Sequence, residues 1–273
     1  MANRLDINIA RVVHLNWELS LEALISGGRK EVWLPNHENC DLGVWLHGSG
    51  LAQPGGFDAA IQLVEVHRQF HEVAERLSSG FHSQGREVAE KELEKVRNLS
   101  REILFLLTSL ELDHLGSHGV VHSIAQPVKN ILGRLFGGSD EYELVDAGVL
   151  AVNRSRLVHL QWLRNMDRAF RHRGRNVALV SAEGCPLGVW IHTVGLKRYG
   201  QFDEIKHLND CHKAFHDRAR EAIAALRHRR DAQAEKAYKE VQQLSREIIH
   251  LLSVVDFKLL DSESMVSAGP FLD

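Results

Sequence analysis

Apolar side chains fall at Ile9, Val12, Val13, Leu15, Trp17, Leu21, Leu24 and Ile25 within the stretch from Asp6 to about Ile25. The steps mix threes and fours, which is the spacing of one buried face on an α-helix. Gly27-Gly28 ends the run. Lys30 to Gly50 holds Pro35 and Asn36 and reads as a loop leading into a short helix that opens near Cys40. Pro54-Gly55-Gly56 then breaks the chain, and Phe57 to about Leu77 predicts a second long helix with Asp58 at its positive end. A turn is expected over Ser78 to Gly85. A third long helix follows from Glu87 to about Leu112, rich in good helix formers, with Val96, Leu99, Ile103, Leu106, Leu107 and Leu110 on its apolar side.

The same pattern returns without gaps 145 positions later. Leu5 pairs with Leu150, Asn8 with Asn153, Arg11 with Arg156, and Arg101-Glu102-Ile103 with Arg246-Glu247-Ile248. A repeat of this length is far longer than a solenoid unit, so it reads as a domain duplication. The expected organisation is all-α. A first helical domain spans 1–115, a linker 116–147, a second helical domain 148–260 and a polar tail 261–273. Within the linker, Val128, Ile131, Leu132, Leu135 and Phe136 form a short amphipathic stripe, read as a helix docking on one domain.

Composition changes the picture only modestly. A hydrophobic content of 44% with 25% charged residues is that of a water-soluble globular chain. A net charge of −3 argues against a nucleic-acid groove or an anionic membrane surface. No apolar run approaches the ~20 residues of a membrane span. The polar start, Met1 to Ile9, does not resemble a signal sequence. Three cysteines are too few for a disulfide framework, so a reducing cytoplasm is expected. Seventeen histidines, however, raise the question of a metal.

The duplication sharpens that question. His14, Cys40, His67 and His71 return as His159, Cys185, His212 and His216, each quartet with internal spacings of 26, 27 and 4. His67 and His71 stand at i and i+4, as do His212 and His216, so both rings leave one helix face and can reach one ion. A cysteine thiolate adds a strong zinc ligand, and four side chains complete a tetrahedron with no open position. Nitrogen and sulfur donors without a carboxylate favour zinc over magnesium, calcium or manganese. Two zinc ions per chain are therefore expected. Around each cysteine, Cys40-Asp41-Leu42-Gly43-Val44-Trp45 returns as Cys185-Pro186-Leu187-Gly188-Val189-Trp190. Gly43 and Gly188 are read as permitting close packing, and Trp45 and Trp190 as shielding the ion. His47 and His192 also match and are read as surface or outer residues, whereas His37 and Cys211 lack a histidine or cysteine counterpart and are read as incidental.

A helical His-x-x-Trp (His14/Trp17, His159/Trp162), then Cys-x-Leu-Gly-x-Trp, then His-x-x-x-His resembles the chemoreceptor zinc-binding domain. The resemblance covers both repeats. It implies a four-helix-bundle fold around a site of three histidines and one cysteine, in domains attached to bacterial chemoreceptor signalling regions and diguanylate cyclases. It also implies a response to zinc and, in some cases, to hypochlorous acid through the cysteine, and a tendency to dimerise. This chain departs from that pattern in having two such domains and no coiled-coil or cyclase sequence. The tandem is expected to reproduce internally the pair made between single-domain chains, a further homodimer remaining open.

Three functions compete at this stage. The first is a zinc- and redox-responsive sensory or regulatory protein, with Cys40 and Cys185 as redox switches and an unidentified signalling protein as partner. The second is a zinc-stabilised structural scaffold for protein–protein interaction, built on the same ligands. The third, a zinc hydrolase, needs an open coordination position and usually a carboxylate base. The carboxylates repeated near the quartet, Asp58/Asp203, Glu90/Glu235 and Glu102/Glu247, read as helix-start and helix-surface residues. The expectation is that the protein is not an enzyme.

Overall fold

The computed structural model describes residues 7–48, 57–117, 141–171 and 179–267, and all regular elements among the described residues are helical. The chain divides into two compact units, Met1–Gly119 and Val120–Asp273. The amphipathic stripe at Val128–Phe136 and the break at Pro54–Gly56 lie outside the described residues.

In the first unit, α1 spans Ile7–Ile25, α2 Asp41–His47, α3 Phe57–Gln84 and α4 Arg86–Ser117. The end of α1 is set by Gly27, which adopts a left-handed φ of +81°. There the Gly28 N–H donates to the Ala23 carbonyl (2.7 Å) and the Gly27 N–H to the Leu24 carbonyl (3.2 Å), closing the helix with its last carbonyls satisfied. The turn expected over Ser78–Gly85 shrinks to Gly85 alone, at φ +76°. The helix continues because the Ser78 and Ser79 hydroxyls bond back to the Glu75 carbonyl (3.3 and 2.7 Å), so these residues fit inside it. Beyond them, Phe81 still reaches the core.

This arrangement makes α3 and α4 a long hairpin. The first helix, α1, lies mainly on α4 and touches α3 only slightly, while α2 packs on α3. The core joins Leu21 and Leu24 of α1, Leu63, Phe70 and Leu77 of α3, and Val96, Ile103 and Leu107 of α4. Each such large side chain contributes about 1.5–3 kcal/mol by leaving water.

The second unit repeats the plan. It contains α5 (Glu141–Arg171), α6 (Pro186–Trp190), a π-helical turn (Ile191–Gly195), α7 (Leu196–Tyr199), α8 (Asp203–Arg227) and α9 (Asp231–Ser267). Here α8 and α9 form the hairpin, and α5 packs on α9 and α6. Helix α5 thus opens inside the stretch expected as linker, and α9 runs past the domain boundary expected at 260.

A buried ion pair fastens the first helix of each unit to the last. Arg11, 3% exposed, pairs with Glu111 and donates to Asn8 Oδ1 at 2.8 Å. Its counterpart Arg156, 1% exposed, meets Asp256 at 3.1 Å, Asn153 at 3.0 Å and the Ser253 hydroxyl at 3.2 Å. The repeated Asn–Arg positions of the sequence are therefore parts of a helix-to-helix clasp.

Candidate metal centre

The cysteine motif is a helix start whose cap is sulfur. Cys40 precedes α2 in an extended conformation (ψ 156°), and its Sγ accepts the Gly43 N–H at 3.3 Å. Cys185 does the same for α6, accepting the Gly188 N–H at 3.3 Å. Leu42 and Leu187 bury completely behind the cysteines. Glycine is required three residues on, because the backbone of the preceding turn passes over it. A Cβ at Gly43 would stand 1.7 Å from the His37 carbonyl oxygen, and one at Gly188 would stand 1.6 Å from that of Ala182. Each element of Cys-x-Leu-Gly thus has a separate local reason.

In the first unit, α1 brings His14 to this sulfur and α3 brings His67 and His71. One ligand atom from each of the four residues lies within 4.8 Å of every other, and all four residues are buried. Cys40 Sγ stands 3.1 Å from His67 Nε2, which stands 3.1 Å from His71 Nε2. Tetrahedral zinc ligands at 2.0–2.3 Å from the ion would be about 3.3–3.6 Å apart, so a small expansion admits an ion. His14 donates from Nδ1 to the Ala10 carbonyl (2.8 Å), which leaves its Nε2 buried and without a hydrogen-bond partner. A buried orphan of this kind costs about 1–3 kcal/mol, and an ion at the centre would satisfy it. The residues fit zinc.

The second unit gathers three of its four residues, Cys185, His212 and His216. Cys185 Sγ to His212 Nε2 is 3.1 Å, and His212 Nε2 to His216 Nε2 is 3.2 Å. His216 Nδ1 donates to the Val180 carbonyl at 3.0 Å, orienting the ring. His159 is buried beside them, but its Nε2 meets the Ser245 hydroxyl at 3.1 Å instead of joining the cluster.

Electrostatics keep the imidazoles neutral. Burial holds His14 down at about 3 against the Ala10 carbonyl, and it holds His71 at about 4, opposed there by the Pro35 carbonyl. Burial, aided by neighbouring His14 and His71, lowers His67 to about 2. His212 falls to about 3, and His159 and His216 also lie below the usual histidine range, burial again leading. Burial pushes both cysteine thiols up, opposed by the N–H groups of Leu42 and Gly43 and of Leu187 and Gly188. Neutral imidazoles present lone pairs, and a dication is the partner that would restore the thiolate.

The rings that touch these histidines include Phe70 and Phe215 and, among tryptophans, Trp17 and Trp162 of the first helices. Trp17 lies edge-on to His14 (4.9 Å between centroids) and His71 (5.2 Å), and Trp162 lies 5.6 Å from His216. Trp45 packs against the core, and Trp190 is buried next to Gly195. Among the repeated carboxylates, Asp58 and Asp203 sit exposed in the first turns of α3 and α8, and Glu90 is exposed and paired with Arg86.

The fold and the site together define a duplicated helical protein, each repeat of which gathers histidines and a cysteine that could hold a metal ion. Residues 14–77 and 159–223 both match the family model of the chemoreceptor zinc-binding domain, and the chain carries two tandem copies of it. No curated protein and no solved structure matches the chain. Among the described residues, no helix is long and apolar enough to cross a membrane.

Proposed function

We propose that this is a cytoplasmic zinc-binding sensory or regulatory protein that holds one ion in each repeat and passes its state to a separate signalling protein. The ligands are His14, Cys40, His67 and His71 in the first site and His159, Cys185, His212 and His216 in the second. The observation that carries this reading is the buried convergence of four ligand atoms in the first unit within 4.8 Å. Zinc, when bound, would hold each cysteine as a thiolate. Cys40 and Cys185 are buried and free of disulfides, so each keeps a sulfur that an oxidant small enough to reach it could modify. Hypochlorous acid would transfer its oxygen to such a sulfur, giving a sulfenic acid and releasing chloride, and the oxidised sulfur would be a poorer ligand.

Zinc titration of chelator-treated protein tests the reading. Two equivalents bound, and lost when Cys40 and Cys185 are both replaced by serine, are expected. An affinity near the free-zinc level of the compartment marks a sensor, and a far tighter one marks a structural scaffold. No zinc bound by correctly folded protein would sink both.

A further inference from the structure

The turn that delivers Cys40 carries side chains that the buried quartet leaves unused. Asn36 organises this turn: its side-chain oxygen accepts the Glu38 N–H (3.0 Å), and its carbonyl accepts the N–H groups of Asn39 (2.9 Å) and Cys40 (3.2 Å). The close approach over Gly43 then presses the turn onto α2, whose last residue is His47. The result places His37, Glu38 and His47 side by side, with one ligand atom from each within 4.8 Å of the others. The His37 and His47 rings are 6.3 Å apart, and His37 Nε2 stands 4.0 Å from Glu38 Oε1. Glu38 and His47 are exposed, and the His37 side chain is 24% exposed.

We propose that His37, Glu38 and His47 form a second, solvent-facing site for a divalent transition metal on the first repeat. Two imidazoles and one carboxylate suit zinc, nickel or copper better than magnesium or calcium. Three protein ligands leave the remaining positions to water, so the ion held there exchanges readily. The site stands just outside the quartet, with the His37 ring 6.5 Å from those of both His67 and His71. His37 and His71 also line one cavity of about 340 Å³, shared with Pro35, Glu72 and Glu75. The second repeat has Ala182, Glu183 and His192 at the corresponding positions, so it lacks one of the two imidazoles. Neither the function proposed above nor occupancy of the quartet is required for this site.

The test is chemical protection. The full chain, with its tight sites already supplied with zinc, is treated with diethyl pyrocarbonate with and without further zinc, and modified histidines are mapped by mass spectrometry. The added zinc is expected to protect His37 and His47 and to leave His192 and His228 unprotected. In equilibrium dialysis, the His37→Ala, His47→Ala chain is expected to lose one weakly held equivalent and keep any tight ones. A Cys40→Ser, Cys185→Ser chain keeps the weak equivalent, so failure of the buried sites is distinguishable from failure of this one. Equal modification of His37 and His47 with and without zinc overturns the proposal. So does an unchanged weak stoichiometry in the double alanine variant.

Discussion

His159 directs its Nε2 at the Ser245 hydroxyl, 3.1 Å away, whereas its counterpart His14 leaves Nε2 free within its quartet. Ser100, the counterpart of Ser245, is buried with no hydrogen-bond partner among the described residues. Equivalent residues in the two repeats have therefore made opposite pairings. Whichever of the two groups donates, this bond engages the nitrogen that His159, the proposed fourth ligand of the second site, would offer to an ion, so the first site is expected to bind zinc more tightly.

Replacing Ser245 with alanine removes that competitor. A hydrogen bond of this kind is worth about 0.5–1.5 kcal/mol net, so zinc affinity at the second site should rise about 2- to 10-fold. Chelator competition on a chain carrying Cys40→Ser reads the second site alone. Ser100→Ala should leave the first site unchanged. An affinity that stays constant or falls in the Ser245 variant would contradict the competition.

Cys40→Ser separates ligation from folding. Serine is among the preferred helix caps, and its oxygen can accept the Gly43 N–H that Sγ accepts now. Helical circular dichroism of the metal-free variant is expected to match that of the parent chain. Zinc affinity at the first site should fall by more than about 100-fold, since even the outer partners of a ligand are worth about 10- to 100-fold. A loss of helix comparable to the loss of zinc would show that the cap fails with oxygen.

Gly43→Ala should damage both at once. The added carbon would overlap the His37 carbonyl, a backbone atom 1.7 Å away, and the turn bearing Cys40 would have to move. Overpacking of this kind costs about 1–3 kcal/mol, read as a lower urea midpoint, with weaker zinc binding alongside. Gly195→Ala meets only the ring edge of Trp190 at 3.3 Å and should be milder. Equal effects at the two positions would argue against the close-approach explanation.

Acid should destabilise the metal-free protein within a defined window. The buried imidazoles take up protons below about 6.5 when unfolded. When folded they resist until about 4 at His71, about 3 at His14 and His212, and about 2 at His67. The unfolded state therefore binds more protons in this interval. Stability that is fully present above pH 6.5 is lost progressively as pH falls through the folded values. Thermal midpoints of chelator-treated protein should drop steadily from pH 7 to pH 4, and a flat profile would refute the assignment. Protons also compete for the ligands, so zinc release should follow the same direction.

The features legible in the sequence were those with short repeats. Helical periodicity and the i, i+4 pairs His67/His71 and His212/His216 are local, and the duplication showed each twice. Pairings formed by folding were not legible. Ser245 lies 86 residues from His159, and Glu111 lies 100 from Arg11, with nothing in the spacing to link them. The turn expected at Ser78–Gly85 misled because serine is a common turn residue, yet here it bonds back to its own helix. His37 looked incidental because it had no repeat partner, but its neighbour in space is His47, which does. In the sequence Trp17 and Trp162 stand only as motif residues, since ring contact with a histidine depends on how α1 and α5 lie.

The slight contact between α1 and α3 has a mechanical consequence. His14 comes from α1 and His67 and His71 from α3, so a shared ion would rivet the two long helices of the first unit that packing joins least. Without that ion the α3–α4 hairpin stays zipped, while α1 keeps its packing on α4 and only the lighter contacts on α3 made by Trp17 with His71 and by His14 with Phe70. In the second unit, the hydrogen bond of His159 to Ser245 of α9 would have to be given up before the corresponding rivet could form. On the proposed function, metal occupancy would change how firmly that one helix is held, a difference that a neighbouring protein would read without touching the ion.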